Sequence, residues 1–241
     1  MTETVRLSKL LADRQGCSRR EAENYIHGGW VSVDGEVVEE PGCRVAAQAD
    51  ISLDPKARPD DVPPVTLLLH KPAGAGASAE SETAAQWLVP ENRFAEAHGN
   101  LRTLKKHFSG LMLATPLETD ASGLIVATQD SRMMGKLVDQ ANRLEQEFIV
   151  DVTGTMAPNG LALLGQGLSW QGRPLPAIKV SWQSENRLRF AMKTPALGLI
   201  AHMCREVGLT VTAMRRIRIG RLPMAGLPVG QWRYLQGYER F

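Results

Sequence analysis

The chain has 241 residues, with 28 lysines and arginines against 26 acids and a formal charge of +2. This length suits one medium domain with a small appendage, or two modest domains, and so mild a balance excludes a chain-wide polybasic signature, leaving local clustering to carry the information. Three scattered cysteines, Cys17, Cys43 and Cys204, are too few for a zinc cluster and odd in number for a disulfide framework, so a reducing compartment is expected.

The N-terminus, MTETVRLSKLL, has charges where a signal peptide carries an apolar core. No segment approaches the roughly 18 apolar residues of a membrane span. A cytoplasmic protein is expected.

Next, VRLSKLLADRQ places Leu7, Leu10 and Leu11 on one helical face. SRREAENYIHGG opens a second helix with a Ser18-x-x-Glu21 capping box and closes it at Gly28-Gly29. WVSVDGEVV then alternates Val31, Val33 and Val37 around Asp34-Gly35, a pair suited to a two-residue hairpin turn. Arg6, Lys9, Arg14, Arg19 and Arg20 surround these elements. They suit either solvated helix faces or an anionic partner. Arginines in a first helical turn oppose the dipole at about 0.3–1 kcal/mol, a cost that a bound phosphate offsets, which tilts the reading toward nucleic acid. LDPKARPDDVPPVT, residues 53–66, reads as a linker after a first module spanning 1–58.

From residue 64 to 241 strands mix with helices. VTLLLHKP is a buried strand ending at Lys71-Pro72, and AGAGASAESETAAQ after it reads as small, polar and mobile. GLIVAT is a second apolar strand; Asp130 caps a helix with Met133, Met134, Leu137 and Val138 on one face; QEFIVDVTG alternates Phe148, Val150 and Val152. LRFAMKT and TAMRRIRIG follow as strands, with Arg216 and Arg218 expected on one face and Arg215 on the other. Strands without regular helical crossovers favour an α+β fold with a mixed, largely antiparallel sheet.

The run RLSKLLADRQGCSRREAENYIHGGWVSVDGEVV resembles the S-four-type RNA-binding module, a small helix-helix-hairpin unit. LLLHKPAG, LETDASGLIVATQDS, EFIVDVTG, GQGLSWQGRPLPAIKV and MRRIRIGRLPMAGLPVGQWRYL together resemble the ribosomal (RsuA-like) RNA pseudouridine synthases that carry this module. The resemblance implies that a target uridine is flipped from its helix, its glycosidic bond is broken by a carboxylate-initiated reaction, and the base is rejoined through carbon, with no metal or cofactor. It implies structured, ribosomal RNA as the partner, with Arg6, Lys9, Arg19 and Arg20 placed to bind it; Lys71, Arg216 and Arg218 are further candidate RNA contacts, a solvated edge being the alternative for the two arginines, and nothing in the sequence suggests more than a monomer. For Lys71, phosphate contact and simple snorkelling from a strand end stand equal.

Aligned on Ser122-Gly123-Leu124, the family's Arg-Leu-Asp falls on Pro116-Leu117-Glu118, which makes Glu118 the catalytic position. Asp120 is assigned to turn hydrogen bonding. Phe148 takes the place of the family's tyrosine and retains a stacking face, Gln146 replaces its lysine, and Leu197–His202 replaces an arginine-rich stretch. The extra methylene at 118 displaces a carboxylate by roughly 1 Å, enough to cost on the order of 100-fold in rate. These departures imply either an enzyme that works through Glu118 or a catalytically silent relative that docks RNA in the same cleft.

Overall fold

The computed structural model describes residues 4–78, 83–95, 101–193 and 195–241. It divides into two units, one made of Met1–Pro64 with Asn100–Leu111 and the other of Val65–Gly99 with Met112–Phe241.

In the first unit, helix α1 (Leu7–Gln15) buries Leu7 and Leu11 completely and stops at Gly16, whose φ of 63° closes the helix in the left-handed region. Helix α2 (Arg19–His27) starts at the expected capping box: the Ser18 hydroxyl accepts from the Glu21 amide, and the Glu21 carboxylate accepts from the Ser18 amide. Strands β1 (Val31–Val33) and β2 (Glu36–Val37) form the hairpin, and positive φ at both Asp34 and Gly35 is the conformation that such a turn demands. Strand β3 (Ile51–Leu53) pairs with β1, and Leu7, Leu11, Ala22, Ile26 and Val31 form the centre of a small core.

The residues that read as a linker are partly fixed to this unit. Leu53 lies in β3, the Asn24 side chain donates to the Pro59 carbonyl, and Arg20 pairs with Asp61 at 3.0 Å. The structure also adds Leu101–Leu111, a stretch far away in sequence, to the same unit.

The second unit is a mixed sheet. Strands β4 (Thr66–Lys71), β5 (Ser122–Thr128), β6 (Glu145–Gly154), β7 (Lys179–Ser184), β8 (Arg187–Lys193), β9 (Leu209–Ile219) and β10 (Trp232–Tyr234) run in the order β7-β8-β6-β9-β5-β4-β10. Neighbours pair antiparallel except β5 and β9, which run parallel. Helix α3 (Ser131–Val138) begins where Asp130 accepts from the Arg132 amide. It buries Leu137 and packs Met133 and Met134 on Leu68, Leu124, Val126 and Ile219, whereas Val138, expected on that face, is exposed. Helix α4 (Leu199–Glu206) buries Leu199, Ile200, Met203 and Cys204.

The described parts of the segment after Pro72 are tied together by hydrogen bonds, where the composition alone suggests a mobile stretch. Residues 79–82 lie outside the described residues, but on either side of them the Gly76 amide donates to the Thr83 hydroxyl and the Ala84 amide to the Gly76 carbonyl. Among the described residues no helix is long and apolar enough to cross a membrane, and Cys17, Cys43 and Cys204 are free.

Candidate active site

Glu118 lies on the loop that enters β5, and this loop is fixed nearly residue by residue. The Ala114 amide donates to the Val126 carbonyl, the Thr115 hydroxyl accepts from the Val126 amide, and the Leu117 amide donates to the Ala77 carbonyl. The Ala121 amide closes the turn on the Glu118 carbonyl at 3.2 Å.

Two buried cations complete the hold. Arg216, only 1% exposed, donates to the carbonyls of Thr115 (2.8 Å), Pro116 (2.8 Å) and Leu124 (2.7 Å) and to the Gln146 side chain (2.9 Å). Lys71, fully buried, donates to the carbonyls of Pro72 (3.0 Å), Ala75 (2.6 Å) and Thr119 (3.0 Å). Burial pushes the guanidinium of Arg216 down to about 9, and the negative charge of Glu118 acts against that shift. Burial, with Arg216 adding repulsion, pushes the ammonium of Lys71 down to about 8, while Glu118 and Asp120 pull it back up. The carboxylate at 118 is thus electrostatically coupled to both cations.

The Glu118 carboxylate accepts the Gly198 amide at 3.0 Å. Gly198, at φ 81°, is the N-cap residue of α4, so the carboxylate meets the positive end of a helix. This contact spans eighty residues of sequence and uses the stretch from which the family's arginines are missing. A backbone amide on a helix end thereby supplies part of the positive potential.

Gly123 permits the parallel pairing that brings Arg216 to this loop. Its φ is 116°, and an added Cβ would stand 2.6 Å from the Arg216 amide nitrogen and closer still to the Arg216 carbonyl oxygen.

Several expected roles are corrected by burial. Lys71 and Arg216, read as RNA contacts, direct their donors into the protein. Arg218 faces away from Arg216, because a bulge between residues 216 and 218 breaks the alternation of β9. It bonds Glu145 and Glu147, each at 2.6 Å, and Glu147 also pairs with Arg189 at 2.6 Å. Phe148 is 1% exposed, in register with Arg216 and Phe190, so its ring has no open face for a base to stack on. Arg215, by contrast, is exposed.

In the first unit Arg6, Lys9, Arg19 and Arg20 are all exposed. His70 is buried with its Nδ1 against the Leu227 carbonyl at 2.7 Å, and His202 places Nε2 on the Ser169 carbonyl at 3.0 Å. Among the described residues no group of three or more metal-ligating side chains comes together.

Residues 5–51 match the S4 domain family. The Shigella flexneri "Dual-specificity RNA pseudouridine synthase RluF" is 25% identical over 241 residues, covering 98% of this chain and 77% of that protein. The Bacillus subtilis "Ribosomal large subunit pseudouridine synthase B" is 26% identical over 244 residues, covering 97% and 93%. A crystal structure of a pseudouridylate synthase superposes with a TM-score of 0.60 at 19% identity over 96% of both chains, which establishes the shared fold. With an S4 domain match at its start and relatives of this kind matched over nearly its whole length, the chain is similar throughout to RNA pseudouridine synthases and shares their fold.

Proposed function

We propose that this protein converts uridine to pseudouridine in ribosomal RNA, with Glu118 as the carboxylate that opens the reaction. The observation that carries this reading is the construction around position 118. A loop anchored by two buried cations presents a carboxylate at a helix N-terminus, an arrangement that fixes a reacting group in place before substrate arrives. The relatives' names supply the substrate class.

In the reaction the N1–C1′ bond breaks, a C5–C1′ bond forms, the C5 proton passes to solvent and N1 takes up a proton in its place. Tritium release from ribosomal RNA labelled at uridine C5 and lacking the cell's own modification therefore reads turnover directly. Wild type should release tritium, and Glu118→Gln should lose at least about 100-fold, the scale of a lost acid–base group. Wild type that binds the RNA yet releases none would overturn the enzymatic reading and leave the cleft as a docking surface.

A further inference from the structure

The first unit, whose residues 5–51 match the S4 domain, does not carry the net positive charge that favours a polyanion. Met1–Pro64 carries eight lysines and arginines against twelve acids, a balance of −4. A polyanion approaching such a surface meets net repulsion unless positive charge is concentrated locally, within the Debye length of about 10 Å. The other stretch of the unit, Asn100–Leu111, brings Arg102, Lys105 and Lys106 and no acid.

The stretch is docked in a defined way. Arg102 donates to the Gly29 carbonyl at 2.9 Å, just past the C-terminus of α2, where a cation complements the helix dipole. The guanidinium lies close over Gly29, its carbon 2.9 Å from where a Cβ would stand. The Glu39 carboxylate accepts the Lys105 amide at 2.6 Å and lies 4.0 Å from the Arg102 guanidinium, so one of the unit's acids is engaged by the incoming segment. Lys105–Phe108 forms a 3-10 turn with Leu104 and His107 buried and with Lys105 and Lys106 exposed. The turn thus buries Leu104 and His107 and leaves its two lysines at the surface.

We propose that residues 101–111 are part of the RNA-binding surface of the first unit, with Lys105 and Lys106 contacting phosphate and Arg102 serving as the positioning residue. The inference rests on the RNA-directed function proposed above and adds a contact surface to it. Every phosphate neutralised releases counterions, so two lysine contacts contribute about 1.8 to the slope of log K against log salt.

The test uses the full chain and a fluorescein-labelled RNA hairpin, titrated by anisotropy over a series of KCl concentrations. Lys105→Gln with Lys106→Gln should reduce the slope by about 1.8, whereas Lys105→Arg with Lys106→Arg should retain it. Wild-type binding with an unchanged slope in the glutamine variant would overturn this proposal and leave the RNA reading intact. A wild type with no salt-dependent binding would overturn both. A loss shared by the arginine variant would trace the effect to folding and reject phosphate contact.

Discussion

Replacing Gly123 by alanine tests whether the approach of β5 to β9 sustains the active-site loop. Two costs add. At φ 116° an alanine backbone is strained by about 1–3 kcal/mol. The new Cβ would also lie 2.6 Å from the backbone nitrogen of Arg216, on a central strand with little freedom to retreat, and overpacking of this kind costs about 1–3 kcal/mol more. A combined loss of about 4 kcal/mol corresponds to a fall of roughly 8–16 °C in the melting temperature of a unit this size. Gly172→Ala is the control, because its φ of 77° imposes strain while its Cβ would meet nothing within 4 Å. That variant should lose only about 1–2 kcal/mol, or roughly 2–8 °C. Both are measured by thermal unfolding of the full chain, following the transition of the second unit. Equal shifts in the two variants would show that the Arg216 backbone yields freely, refuting the view that this packing fixes the loop. Where Arg216 is displaced, its bonds to Thr115 and Pro116 are displaced with it, so tritium release should fall further than stability alone accounts for.

Two further outcomes concern proton binding. With Lys71 at about 8, tritium release should decline above that pH as the ammonium loses one of the three N–H groups it directs at loop carbonyls. Its depressed value makes the charged form costly to bury, so stability should not fall over the same range, and parallel losses of folding and activity there would contradict the assignment. Glu147 is held below the usual carboxylate range, chiefly by its bond to Arg218 and then by Arg189. Its contribution is present above the ordinary glutamate value of about 4.3 and is lost as pH falls through the depressed one, so Glu147→Gln should flatten the acid limb of a urea-denaturation series. An unchanged limb would show the pair to be too solvent-screened to matter.

Local signals in the sequence carry through to the structure where the physics is local. The Ser18–Glu21 box, the Asp34-Gly35 turn and the Asp130 cap each depend on atoms within a few residues, and each forms as expected. The alternation of Phe148, Val150 and Val152 correctly identified an inward face. Contacts across long separations were another matter. Period-two alternation put Arg216 and Arg218 together, but a bulge separated them and buried one. The amide of Gly198 has no side chain to advertise its part in holding Glu118. Residues 101–111 did carry a signal, three bases without an acid, but composition says nothing about which unit a segment joins.

The first unit is assembled from two separated lengths of chain, with consequences for its birth on the ribosome. After residue 64 has been made, translation must reach residue 111 before the missing piece exists, a few seconds at about 5–20 residues per second. Throughout that interval the Gly29 carbonyl and the Glu39 carboxylate await their arginine and amide, so the nascent module matures only after the first strand of the following unit, Thr66–Lys71, has been synthesised.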